Sequence, residues 1–148
     1  MSKYRSIQLT NNAVGTVAAN SYMPLGVITR KIACQPICDN TYTISVSTPD
    51  IVYLNEPGYY NIMYSASITA SATGTIGLSL IVNGTQTYSV SETVSAADDV
   101  INLTLPYQTR VFCNCATAPT NVPTSIQIQL TGVGITAGTT NLQVERVF

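Results

Sequence analysis

The sequence predicts an all-β protein, an antiparallel sandwich or jelly roll of about ten short strands. Three observations carry this. Apolar and polar residues alternate with a period of two in segment after segment. Turn clusters rich in Gly, Pro, Asn and Asp recur roughly every 8–12 residues. No segment carries a convincing apolar stripe at helical spacing.

Taken in chain order, MSKYRSIQLTNN reads as a polar arm over residues 1–12, ahead of a body over 13–148. Tyr42, Ile44 and Val46 alternate with Thr and Ser. Glu56-Pro57-Gly58 then turns the chain into GYYNIMYSASITA. There the even positions Tyr60, Ile62, Tyr64, Ala66, Ile68 and Ala70 share one face, while Tyr59, Asn61 and Met63 point the other way. Leu78, Leu80 and Val82 lead into Asn83-Gly84, a strong hairpin signal because both residues tolerate positive φ. SETVSAADD (91–99) is the best helical candidate, but its apolar content is too thin to dock a helix, so it reads as a loop. Ile101, Leu103 and Leu105 form the next alternation, then Ile126, Ile128 and Leu130 between glutamines. Leu142 and Val144 mark a last short strand.

The 148 residues fit one domain. Charged residues make up only 9% of the chain, against about 25% in ordinary soluble domains. With six Lys and Arg in all and a net charge of −1, the chain lacks the basic clusters that bind nucleic acid. Little net repulsion opposes self-association, so a surface partly covered by other subunits is expected. No run approaches the roughly 18 apolar residues of a membrane span, and the first twenty residues hold no apolar core of a secretory leader.

Histidine is absent, which removes the usual general base and rules out a Ser-His-Asp or Cys-His arrangement. The carboxylates are scattered, and Asp98-Asp99 reads as a turn before it reads as a calcium ligand pair. The expectation is therefore a protein without catalytic activity or cofactor. Cys34 and Cys38, with Cys113 and Cys115, leave three states open: free thiols, a disulfide tying one segment to the other, or a shared metal. Their C-x3-C and C-x-C spacing departs from the familiar zinc knuckle. Tyrosine dominates the aromatics, with nine Tyr, two Phe and no Trp. Tyr53, Tyr59, Tyr60, Tyr64 and Tyr107 could build a sugar-stacking surface, but core and subunit contact explain them better.

The block LNEPGYYNIMYSASI resembles the Pro-Gly-x-Tyr strand of the TNF-like jelly roll, the fold of the complement one-q globular head. The downstream order is similar too: LSLIVNG, then SIQIQLTG, then a final apolar strand. The chain also resembles small capsid-associated proteins of Firmicutes phages and prophages. The terminal segment NLQVERV, and a polar arm leading into a strand at Val17 to Asn20, carry that likeness.

The resemblance implies a homotrimer with one flat sheet facing the threefold axis, and a role in binding and display. It implies a virion protein, a capsid decoration or head-fibre protein on the capsid surface that stabilises the shell or presents a host- or glycan-binding surface. Lys3, Tyr4 and Arg5 would contact the major capsid protein or another virion protein. Tyr59 and Met63 would pack near the threefold axis. A bacterial surface adhesin or glycan-binding module of the same fold is the alternative, and a hydrolytic tail enzyme fits least.

Overall fold

Half-buried strands stay in water unless a second sheet covers their apolar faces, and this chain meets the requirement with two five-stranded antiparallel sheets. A computed structural model describes residues 5–32, 44–47, 50–111 and 124–147. Sheet A holds β1 (Arg5–Val14), β2 (Val27–Ile32), β5 (Gly58–Ala70), β8 (Val100–Val111) and β10 (Ile135–Arg146). Its strand order is β2-β1-β10-β5-β8. Sheet B holds β3 (Ile44–Ser47), β4 (Ile51–Leu54), β6 (Gly74–Val82), β7 (Thr85–Val94) and β9 (Thr124–Gly132), in the order β3-β4-β9-β6-β7.

The alternations of the sequence set the register. β5 and β8 run in unbroken step from Gly58 opposite Val111 to Thr69 opposite Val100, and Tyr64 stands opposite Leu142 across β10. Tyr60, Ile62, Tyr64 and Ile68 all face the core, joined there by Leu80, Leu105, Ile128, Leu130, Leu142 and Val144. The β6–β7 hairpin turns at Asn83 (φ 51°) and Gly84 (φ 81°). Both lie in the left-handed region that a two-residue primed turn requires. The Asn83 side chain also accepts the Ser125 backbone N–H at 2.9 Å, fixing the turn to β9.

Three expectations are corrected. Residues 5–12 are not an arm: from Arg5 the chain is β1, paired with β10 on one side and β2 on the other. Ile7 and Leu9, two residues apart, are buried in the core, so the body of the domain begins eight residues before 13. SETV of 91–99 is the end of β7, with Thr93 opposite Thr75 and Val94 opposite Gly74; only the residues after it turn. Val17 to Asn20 is not a strand, since Val17 makes a single bridge to Ile135 and the chain then turns.

The segment after that turn completes sheet B. Asn20 and Met23 donate backbone N–H groups to the carbonyls of Leu130 and Ile128, each at 2.7 Å, and Leu130 donates to Ser21 at 2.9 Å. These bonds occupy the edge of β9 beyond the point where β4 stops pairing. Met23 and Leu25 drop into the core as a result.

Candidate functional site

The Pro-Gly corner is held by the far end of the chain. Tyr60 donates its hydroxyl to the Glu56 carbonyl at 2.7 Å, which braces the turn from inside. The Arg146 guanidinium donates to the Pro57 carbonyl through Nη2 at 2.7 Å and Nε at 3.2 Å, and it lies 3.5 Å from a Glu56 carboxylate oxygen. Val147 donates its N–H to the Tyr59 carbonyl at 2.7 Å. The NEPG and ERV segments, far apart in sequence, therefore form one clasp that fixes where β5 starts.

From that start the odd residues of β5 emerge on the outer face of sheet A. Tyr59 and Met63 are 41% and 44% exposed. Arg110, opposite Tyr59 on β8, holds its guanidinium carbon 5.7 Å from the Tyr59 ring centroid, within cation–π range. Pro106 lies opposite Met63 and is tolerated because β8 is an edge strand of its sheet. Tyr59, Met63 and Pro106 make the apolar end of the face.

Beyond them the face recedes into a shallow depression of about 350 Å³ lined by Thr10, Ser65, Ser67, Asn102, Thr104 and Asn141 among others. Its polar groups are tied to one another. Gln8 donates to the Asn141 side-chain oxygen at 3.0 Å, and Thr10 donates to the same oxygen at 3.4 Å.

The five tyrosines that could have formed one stacking surface are divided among four places. Tyr60 and Tyr64 are fully buried. Tyr107 is half-buried against Tyr88, with ring centroids 6.1 Å apart at the open edge between the sheets. Tyr59 stands on sheet A and Tyr53 on sheet B. Burial pushes the Tyr64 phenol well above its usual range. The nearby Thr140 hydroxyl eases it back in part, yet neither oxygen reaches hydrogen-bonding geometry with any described group.

Asp98 and Asp99 serve their turn. Asp98 adopts φ 70°, and Asp99 accepts the Ala96 N–H at 3.1 Å. Among the described residues no three His, Cys, Asp or Glu gather to hold a metal. Cys34, Cys38, Cys113 and Cys115 lie outside the described residues, as do Lys3 and Tyr4; Arg5 opens β1, with its backbone opposite Arg146. The sequence reading missed Arg110 and Pro106, whose odd-face partners follow only from the β5–β8 register.

Comparison with solved structures decides the fold. The Eiger TNF from S. frugiperda matches with a TM-score of 0.68 at 7% identity, over 98% of this chain and 92% of that one. The fold is the TNF-like jelly roll. The globular domain of the zebrafish complement 1qA protein also matches at 0.68 with 7% identity, over 97% and 98% of the two chains. The PRD1 vertex protein P5 matches at 0.63 with 13% identity, over 99% and 97%. No family model matches the sequence, and no curated protein does so either.

Proposed function

We propose that this jelly roll is a homotrimeric virion structural protein, a capsid decoration or head-fibre protein that stabilises the shell and displays a binding surface. The observation that carries the reading is the outer face of sheet A. It is continuous, it is led by the exposed Tyr59, Met63 and Pro106, and it belongs to a fold shared nearly end to end with a phage vertex protein. Exposed aromatic and methionine side chains on a flat face suit a subunit contact. In a threefold ring each copy presents this face to a different patch of the next copy, and the ring closes without leaving it in water.

The resemblance of NLQVERV to small capsid-associated proteins of Firmicutes phages and prophages points the same way. In it, Lys3, Tyr4 and Arg5 lead to the major capsid protein or another virion protein, and the protein works by binding rather than by catalysis. Light scattering on the purified protein tests the assembly: a trimer mass is expected at micromolar concentration, and a stable monomer refutes it. Co-sedimentation with capsids, compared between the full chain and a Lys3→Glu, Arg5→Glu variant, tests the attachment. Equal binding by both removes the basic residues from the contact.

A further inference from the structure

The outer face of sheet B differs in chemistry from the face assigned to the trimer. On β9 the outward residues are Ser125, Gln127, Gln129 and Thr131, since the residues between them are buried. Tyr53 stands opposite Ser125 on β4, and Tyr22 stands opposite Gln129 across its bridge. Both tyrosines therefore rise on the same side of β9, four residues apart along it, or about 13 Å. On the other side of β9, Ile81, Ser79 and Gly77 lie opposite Gln127, Gln129 and Thr131. They form a low floor, because all three are buried between the flanking strands.

We infer that this ledge binds an uncharged oligosaccharide, with Tyr22 and Tyr53 as its two stacking platforms and the Gln127–Gln129 row as its hydrogen-bonding floor. The inference rests on the display reading, in which sheet B faces away from the threefold axis.

The chemistry selects the ligand class. No outward position on the described strands of this face is charged, so neither an anionic nor a cationic ligand finds a counter-ion there. Among the described residues this face carries no fully exposed large aliphatic side chain, Ile51 being partly covered, which leaves little apolar area to anchor a protein partner. A carboxamide offers a donor and an acceptor together, matching sugar hydroxyls, which do both. A tyrosine ring presents an apolar plane with a wet polar tip, suited to the C–H face of a sugar ring.

The site is also fixed before binding. Gln129 donates its amide to the Asn20 carbonyl at 2.9 Å, which leaves its oxygen as the group to accept from a ligand. The backbone bonds from Asn20, Ser21 and Met23 to β9 hold the Tyr22 segment in place. Less ordering entropy is then lost when a ligand arrives. The spacing of the two rings calls for a chain of several sugar units rather than a monosaccharide.

The test uses the full chain on an array of neutral oligosaccharides beside sialylated and sulfated ones, with the mass of each sample checked by light scattering. Saturable binding to neutral glycans is expected. It should weaken at least tenfold in Tyr22→Ala and in Tyr53→Ala, weaken in Gln129→Ala, and stay unchanged in Thr87→Ala on β7. Circular dichroism confirms that each variant is folded; if a single variant is not, Tyr22→Leu or Tyr53→Leu takes its place. No saturable binding to any neutral glycan, or undiminished binding by the folded Tyr22, Tyr53 double variant, overturns the site. So does a preference for the charged glycans. A trimer without binding overturns this inference alone, whereas a monomer that still binds overturns the trimer and leaves the site standing.

Discussion

On sheet A the outward side chains at one end are Tyr59, Met63 and Pro106, with Arg110 across the Tyr59 ring. On sheet B the outward row of β9 is Ser125, Gln127, Gln129 and Thr131, flanked by Tyr53 and Tyr22. The inner faces of both sheets are apolar and rich in Ile, Leu and Val, with Tyr60 and Tyr64 added on sheet A. The difference teaches that the pleat separates two tasks: even and odd positions of one strand can be chosen independently. β5 meets the core with Tyr60, Ile62 and Tyr64, while Tyr59, Asn61 and Met63 point outward.

The largest expected effect falls on sheet A. Tyr59→Asp places a charge where the reading puts a subunit contact, and it should convert the trimer to a folded monomer of one third the mass. An unchanged trimer removes Tyr59 from the contact.

Sheet B should respond to packing instead of charge. A Cβ added at Gly77 would sit 2.7 Å from the Thr131 hydroxyl oxygen and 2.8 Å from the Val90 carbonyl oxygen. Gly77→Val should therefore destabilise the fold by about 1–3 kcal/mol in denaturant titration while leaving the self-association of the folded fraction unaltered. A loss under about 0.5 kcal/mol would mean that the floor gives way easily.

The clasp at the start of β5 has no counterpart on sheet B among the described residues, and it should matter less. Arg146→Ala should cost about 1–2 kcal/mol, mostly through the charge-assisted bonds to the Pro57 carbonyl. Glu56→Gln should cost under about 1 kcal/mol, because that pair is partly exposed and screened by salt. Equal losses in the two variants would shift the weight to the ion pair.

The smallest effect at neutral pH belongs to Tyr64. Its hydroxyl is buried without a hydrogen-bond partner among the described residues, so Tyr64→Phe should be neutral or stabilising by about 1 kcal/mol or less. The alkaline limb separates the two proteins. Below about pH 10 the phenol is protonated in both folded and unfolded chains and adds no slope. Above it the unfolded chain releases its proton while the folded one, its pKa raised by burial, keeps it. Stability then falls as pH rises, by up to about 1.4 kcal/mol per pH unit. Tyr64→Phe should lose that part of the slope.

The strands legible in the sequence are those with one wet face and one dry face. β5, β8 and β9 alternate strictly in burial, and the alternation of residue types announces them. β7 is exposed almost throughout, with only its last residue buried; Glu92 interrupts the inward row of Tyr88, Val90 and Val94, so its end reads as a loop. β2 fails for a related reason: Val27 is 68% exposed, and apolar residues outside the core break the pattern. β1 hides behind composition, since Gln8, Thr10, Asn11 and Asn12 conceal the pair Ile7 and Leu9 that the core takes.

The two faces differ in legibility in the same way. Tyr59 and Met63 follow from parity within one strand. Tyr22 depends on a bridge to Gln129 across more than a hundred residues, and nothing local in NSYMPLG signals it.

The clasp also ties the order of folding to the order of synthesis. β10 is the last of the ten described strands, yet it sits in the middle of sheet A, between β1 and β5. β1 has left the ribosome long before its partner exists, and it must wait unpaired on that side until residues 135–146 emerge. Such long-range pairing is slow to form. Sheet A is thus completed only after translation has passed Arg146, whereas the β6–β7 hairpin, closed by its own two-residue turn, can form while the chain is still growing. A nascent chain can carry the β6–β7 hairpin of sheet B and the β5–β8 pair of sheet A, but β1 and β2 join that pair only when β10 inserts between them.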